Sequence, residues 1–99
     1  MIVRVVKMEF KSECIEAFKA LFEERKENIR NFPGCQYLEL LQGLPPKNNI
    51  FFTYSYWDSE DELNNYRYSE LFKSTWDLTK KMFSQKAQAI SLEKAHILD

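Results

Sequence analysis

The chain has 99 residues, with 14 Lys+Arg against 15 Asp+Glu, a formal charge of -1 and 44% apolar residues, among them eight Phe, five Tyr and two Trp. That length holds a single domain, residues 1–99, with a core but no large enclosed chamber, since a domain of this size buries roughly 60–70% of its unfolded surface. Balanced charge without a basic run argues against nucleic acid and membrane partners, whose phosphates call for a basic face, and no apolar run approaches the ~20 residues that span a bilayer.

Ile2 to Phe10 is rich in β-branched residues, holds neither Gly nor Pro, and predicts a strand. It lacks the apolar stretch and small-residue cleavage site of a signal peptide. Cys14 and Cys35 form neither a CxxC pair nor a disulfide framework, so reduced thiols and a cytoplasmic location are expected. Ser12 offers a helix N-cap, with Glu13 and Glu16 near the positive end of the dipole. Ile15, Phe18, Leu21, Phe22, Ile29 and Phe32 then recur at helical spacing until Pro33-Gly34 ends the run. Cys35 to Gln42 predicts a second strand, and residues 43–49 a loop. Ile50 to Trp57, IFFTYSYW, is the strongest strand signal in the chain.

Ser59-Glu60-Asp61-Glu62 matches a capping box opening a short helix to about Tyr66. Leu71, Phe72, Leu78, Met82 and Phe83 mark a further helix, with Trp76 one turn beyond Phe72. Ala87 to Leu98 predicts a last strand, with Ile90, Leu92 and Leu98 on one side. The order β-α-β-β-α-β is an α+β, ferredoxin-like arrangement: an antiparallel sheet with helices on one face.

Alternation along the third strand sends Ile50, Phe52, Tyr54 and Tyr56 one way and Phe51, Thr53, Ser55 and Trp57 the other. Ile2, Val6, Met8 and Phe10 likewise oppose Val3 and Val5 on the first strand. One helix layer covers one face. An apolar second face in so small a domain predicts a homodimer related by a two-fold axis.

The stretch Tyr54-Ser55-Tyr56-Trp57-Asp58-Ser59-Glu60-Asp61-Glu62-Leu63 resembles the strand-to-helix junction of antibiotic-biosynthesis monooxygenase domains. Tyr66-Arg67-Tyr68-Ser69-Glu70-Leu71-Phe72, then Thr75-Trp76 and Lys80-Lys81-Met82-Phe83, resembles the helix that follows in one branch of that family. Asn31-Phe32-Pro33-Gly34-Cys35 resembles its helix-to-strand turn. The resemblance implies two sheets packed face to face in a dimeric α/β barrel, with one cleft per subunit between sheet and helices. It also implies a monooxygenase acting on a small electron-rich aromatic or quinol. No cofactor is implied, since an electron-rich substrate anion reacts with oxygen directly while the protein supplies orientation, deprotonation and a dry pocket.

The family's haem-degrading branch uses an Asn on the first strand, a Trp on the short helix and a His on the next. Lys7, Tyr66 and Trp76 stand at those places and all differ; Trp76 has no nitrogen lone pair for iron. Tyr66, Tyr68, Phe72 and Trp76 are the residues expected at the cleft. Tyr66 would hydrogen-bond a phenolic oxygen, and Phe72 and Trp76 would stack on an aromatic ligand. The i, i+4 spacing of Phe72 and Trp76 equally suits ordinary core residues. Lys7, mid-strand, is either a desolvated catalytic base or a lysine reaching water from a strand edge. The lone histidine, His96, is expected to be exposed or paired. No metal-ligand spacing, GxSxG or Gly-rich phosphate loop is present. A dimeric module that binds a small apolar ligand without chemistry is the alternative.

Overall fold

The computed structural model describes residues 1–99, and its topology is the expected one. Strand β1 (Ile2–Glu9) leads through a short 3-10 turn to helix α1 (Ile15–Arg30), strand β2 (Cys35–Gln42) and strand β3 (Ile50–Trp57). Helices α2 (Glu60–Arg67) and α3 (Glu70–Lys80) and strand β4 (Gln88–Glu93) complete the chain. The sheet order is β2-β3-β1-β4 and every pairing is antiparallel. All three helices lie on one face of it.

Several boundaries differ from those expected. Ser12 does not cap α1; it opens the 3-10 turn Ser12–Cys14, and Cys14 precedes the helix without a side-chain cap. Met82 and Phe83 fall beyond α3, where Phe83 pairs with Phe10 in an antiparallel bridge and Ser84 N–H donates to the Glu9 carbonyl. The last strand stops at Glu93, where β1 runs out at Ile2, its partner in the register. Leu98 is therefore 93% exposed rather than part of the sheet.

Two caps hold the short helices. Ser59 Oγ accepts from Glu62 N–H at 3.2 Å, as the capping pattern requires. Ser69 does the same for α3, accepting from Phe72 N–H at 3.1 Å while its hydroxyl donates to the Tyr66 carbonyl at 2.6 Å. One serine thus fixes the angle between α2 and α3. Gly34 turns the chain from α1 into β2 at φ 92°, and a Cβ there would sit 2.5 Å from Glu62 Cβ.

The core is split. At one end of the sheet Met8, Phe10, Phe18 and Phe51 are buried together, with Phe10 stacked on Phe18 at 4.2 Å and edge-on to Phe51 at 5.6 Å. At the other end Cys35, Trp57 and Leu63 form a second cluster against Phe32 and Tyr66. The register explains the gap between them. Met8 pairs with Phe51 and Ile2 with Trp57, but the intervening pairs Val6–Thr53 and Arg4–Ser55 place short side chains of β3 under the helices. Large residues close both ends and small ones leave the middle unfilled.

Candidate ligand cleft

That unfilled middle is a cleft of about 320 Å³ between sheet and helices. Its floor is Arg4, Val6 and Met8 from β1 with Thr53, Ser55 and Trp57 from β3. Phe18, Phe22 and Ile29 of α1 close one wall. Leu63, Tyr66 and Arg67 of α2, with Phe72, Thr75, Trp76 and Thr79 of α3, close the other. The volume lies at the low end for small-molecule sites and suits a small aromatic ligand.

The α2–α3 wall is a continuous run of rings. Trp57 stacks on Tyr66 at 4.8 Å and 23°, and Tyr66 meets Phe72 edge-on at 5.2 Å. Phe72 stacks on Trp76 at 5.7 Å and 13°, and Trp76 meets Phe83 edge-on at 5.5 Å. Both tryptophans of the chain line the cleft, Trp57 from the floor and Trp76 from this wall. Offset and edge-on contacts of this kind each add roughly 0.5–1.5 kcal/mol beyond area burial, so the wall is stiff before any ligand arrives. Arg25 anchors it to α1, its Nη1 donating to Thr75 Oγ1 at 2.9 Å and Ser74 Oγ at 3.2 Å.

Of the residues expected at the site, the fold brings Tyr66, Phe72 and Trp76 together and leaves two outside. Tyr68 follows the last residue of α2 and is 74% exposed. Two residues past Tyr66, it points away from the sheet, because i and i+2 positions of a helix do not share a face. Lys7 pairs with Phe52 and belongs to the opposite face of the sheet from Val6 and Met8. It does not reach the cleft. His96 lies in the exposed chain after β4.

Tyr66 is held as a neutral phenol. Burial, and then the nearby Cys35 thiol, push its pKa well above the ordinary tyrosine range. Its hydroxyl is thus a hydrogen-bond donor and not a base at neutral pH. Burial also raises the Cys35 thiol, which stays protonated. No group of three His, Cys, Asp or Glu side chains gathers anywhere in the fold. The lining carries two guanidiniums, Arg4 and Arg67, and contains no carboxylate, histidine or lysine. No motif marks Arg4, although alternation along β1 places it on the same face as Val6, Met8 and Phe10. Arg67 and the paired small residues Thr53 and Ser55 were missed as well.

The open face of the sheet is aromatic too. Tyr37, Tyr54 and Tyr56 form a triad with centroids 4.9 to 6.4 Å apart. Leu41, Ile90 and Leu92 around it are 43–54% exposed. No helix of the chain is long and apolar enough to cross a membrane.

Residues 1–77 match the family model of the antibiotic biosynthesis monooxygenases. The fold superposes on a solved antibiotic biosynthesis monooxygenase with a TM-score of 0.88 at 19% identity, covering 97% of this chain and 100% of that one. A protein from Nitrosomonas europaea, proposed to be such an enzyme, gives 0.88 at 17% identity over 97% and 100% of the two chains. A conserved protein from Methanosarcina mazei gives 0.87 at 23% identity over 95% and 93%. No curated protein matches the sequence. These structural likenesses show a shared fold, and the family model, spanning more than three quarters of the chain, shows the lineage: the chain belongs to the antibiotic biosynthesis monooxygenase family.

Proposed function

We propose that the chain is a cofactor-independent monooxygenase that takes a small electron-rich phenol, anthrone or quinol into the cleft. The observation that carries this reading is the aromatic wall from Trp57 through Tyr66 and Phe72 to Trp76, which offers ring faces and one neutral hydroxyl to a flat ligand. For an anthrone-like substrate, a ring CH2 becomes C=O, one atom of O2 enters the product and the other leaves in water. The four electrons come from the two C–H bonds broken and no external reductant is needed. Tyr66 donates to the substrate oxygen, where negative charge gathers as the substrate becomes an anion. The walls exclude water and hold the ring. The cleft lining supplies no base, so the substrate proton passes to solvent; this same feature favours the second reading, a binding module without chemistry.

The working form in this proposal is a homodimer in the cytoplasm, where the free thiols Cys14 and Cys35 stay reduced. A second copy packed on the open sheet face would cover the Tyr37–Tyr54–Tyr56 triad with Ile90 and Leu92, and Lys7 would then lie at the subunit interface rather than in the cleft.

Sedimentation velocity at micromolar concentration is expected to give a dimer, and Tyr54→Lys to give a folded monomer; a wild-type monomer contradicts the assembly. Oxygen uptake by the purified metal-free protein over a panel of hydroquinones and anthrones is expected to exceed the uncatalysed rate, and to fall on the order of 10²-fold in Tyr66→Phe, as for the loss of one oxyanion donor. No uptake across the panel, with ligand still bound, would establish the binding module instead. Because its folded pKa is raised, Tyr66 contributes stability that is fully present below the ordinary value of 10.0 and is lost as pH rises above it. Denaturation at pH 9 and pH 11 should therefore show Tyr66→Phe losing less stability than wild type by roughly 1.4 kcal/mol. An equal loss in both would mean that the phenol ionises in the folded protein as freely as in the unfolded chain.

A further inference from the structure

Two arginines face the cleft from different elements, and neither has a counter-ion. Arg4 rises half-buried from the middle of β1, its Nη1 donating to Ser91 Oγ on β4 at 2.9 Å. Arg67 ends α2, its Nη1 3.5 Å from Asn64 Oδ1. The chain's four ion pairs join Lys19 to Glu16, Arg25 to Glu24, Lys26 to Glu23 and Lys80 to Asp77, all on α1 and α3. No carboxylate reaches Arg4 or Arg67, and none lines the cleft. Burial and then the positive charge of Arg67 hold the Arg4 pKa below the ordinary guanidinium value, so the two groups are near enough to repel.

A partly desolvated guanidinium beside a second cation is costly unless an anion shares the site. Nothing in the chain supplies that anion. We infer that Arg4 and Arg67 form an anion-recognition site at one side of the cleft, so that the ligand is an aromatic anion with its ring on the Tyr66–Phe72–Trp76 wall and a negatively charged oxygen between the two guanidiniums.

The inference rests on the cleft being a ligand site, and it specifies the chemistry of that ligand. The planar, permanently charged guanidinium suits paired oxygens and forms charge-assisted bonds about twice as strong as neutral ones. The anionic oxygen is either a carboxylate or an ionised acidic phenol. In the second case the arginines also answer the absence of a base in the lining. They lower the pKa of the bound phenol, so that it loses its proton to water and is held in the electron-rich form that reacts with oxygen.

Calorimetric titration with 2-naphthoate and 2-naphthamide compares an anion with a neutral ligand of nearly the same shape. Absorbance titration of bound 4-nitrophenol reads its ionisation directly. Naphthoate is expected to bind on the order of tenfold more tightly than naphthamide at low salt. That preference, read as the ratio of the two affinities in each variant, should shrink in Arg67→Gln, an exposed helix-end substitution, and vanish when Arg4→Met is added. The ionisation of 4-nitrophenol should move to lower pH on binding. A preference for naphthoate with no shift in nitrophenol assigns the site to carboxylates, and the reverse assigns it to phenolates; either supports the inference. Equal affinity for the two naphthalenes with no nitrophenol shift overturns it, yet leaves the cleft a ligand site. Failure of every probe to bind overturns both.

Discussion

The site depends on a size pattern in one strand. Along the helix-facing side of β3 the residues run Phe51, Thr53, Ser55, Trp57, two large ends with two small middles. Phe51 and Trp57 are each 1% exposed and each anchors its own core cluster. Between them the helices rest on the two ends like a beam on two supports, and the span above Thr53 and Ser55 stays open. Close packing would ordinarily fill such a gap, since voids forfeit dispersion contacts on their walls. Here the rings of the α2–α3 side pack along one another instead, from Trp57 through Tyr66 and Phe72 to Trp76.

The same strand sets the second structural condition. Its other face carries Ile50, Phe52, Tyr54 and Tyr56, and the single helix layer is already committed to the cleft side. The three helices therefore leave this face of the four-stranded sheet uncovered. The cleft and the open apolar face are thus divided by the plane of the sheet, and a residue's parity along a strand decides which of them it lines. Lys7 and Arg4 show the consequence. They are three positions apart on β1, yet Arg4 stands in the cleft and Lys7 behind it.

Much of this was legible in the sequence. Periodicity and turn residues gave the element order, and the β-branched and aromatic strands gave both apolar faces. Tyr66, Phe72 and Trp76 were found through the family resemblance, and their placement along one wall follows from the Ser69 cap joining α2 to α3. The failures were of two physical kinds. Position in a motif puts Lys7 and Tyr68 near the site, but strand alternation and helix periodicity turn both side chains away from it. Arg4 and the Thr53–Ser55 gap needed the cross-strand register, a tertiary property that one strand read alone does not contain. The end of β4 belongs to the same class, because a strand ends where its neighbour ends and Leu98 has no neighbour.

The central claim is that the gap over Thr53 and Ser55 is where the ligand sits. Its most direct test is a two-dimensional NMR titration with 2-naphthol that follows the indole N–H resonances of Trp57 and Trp76 beside the backbone amides of β4 and the Tyr37–Tyr54–Tyr56 face. The account predicts that both indole resonances move, that the open-face amides do not, and that Thr53→Phe, which fills the gap from its floor, abolishes the shifts while the protein stays folded. Shifts centred on the open face, or undiminished in Thr53→Phe, would contradict it.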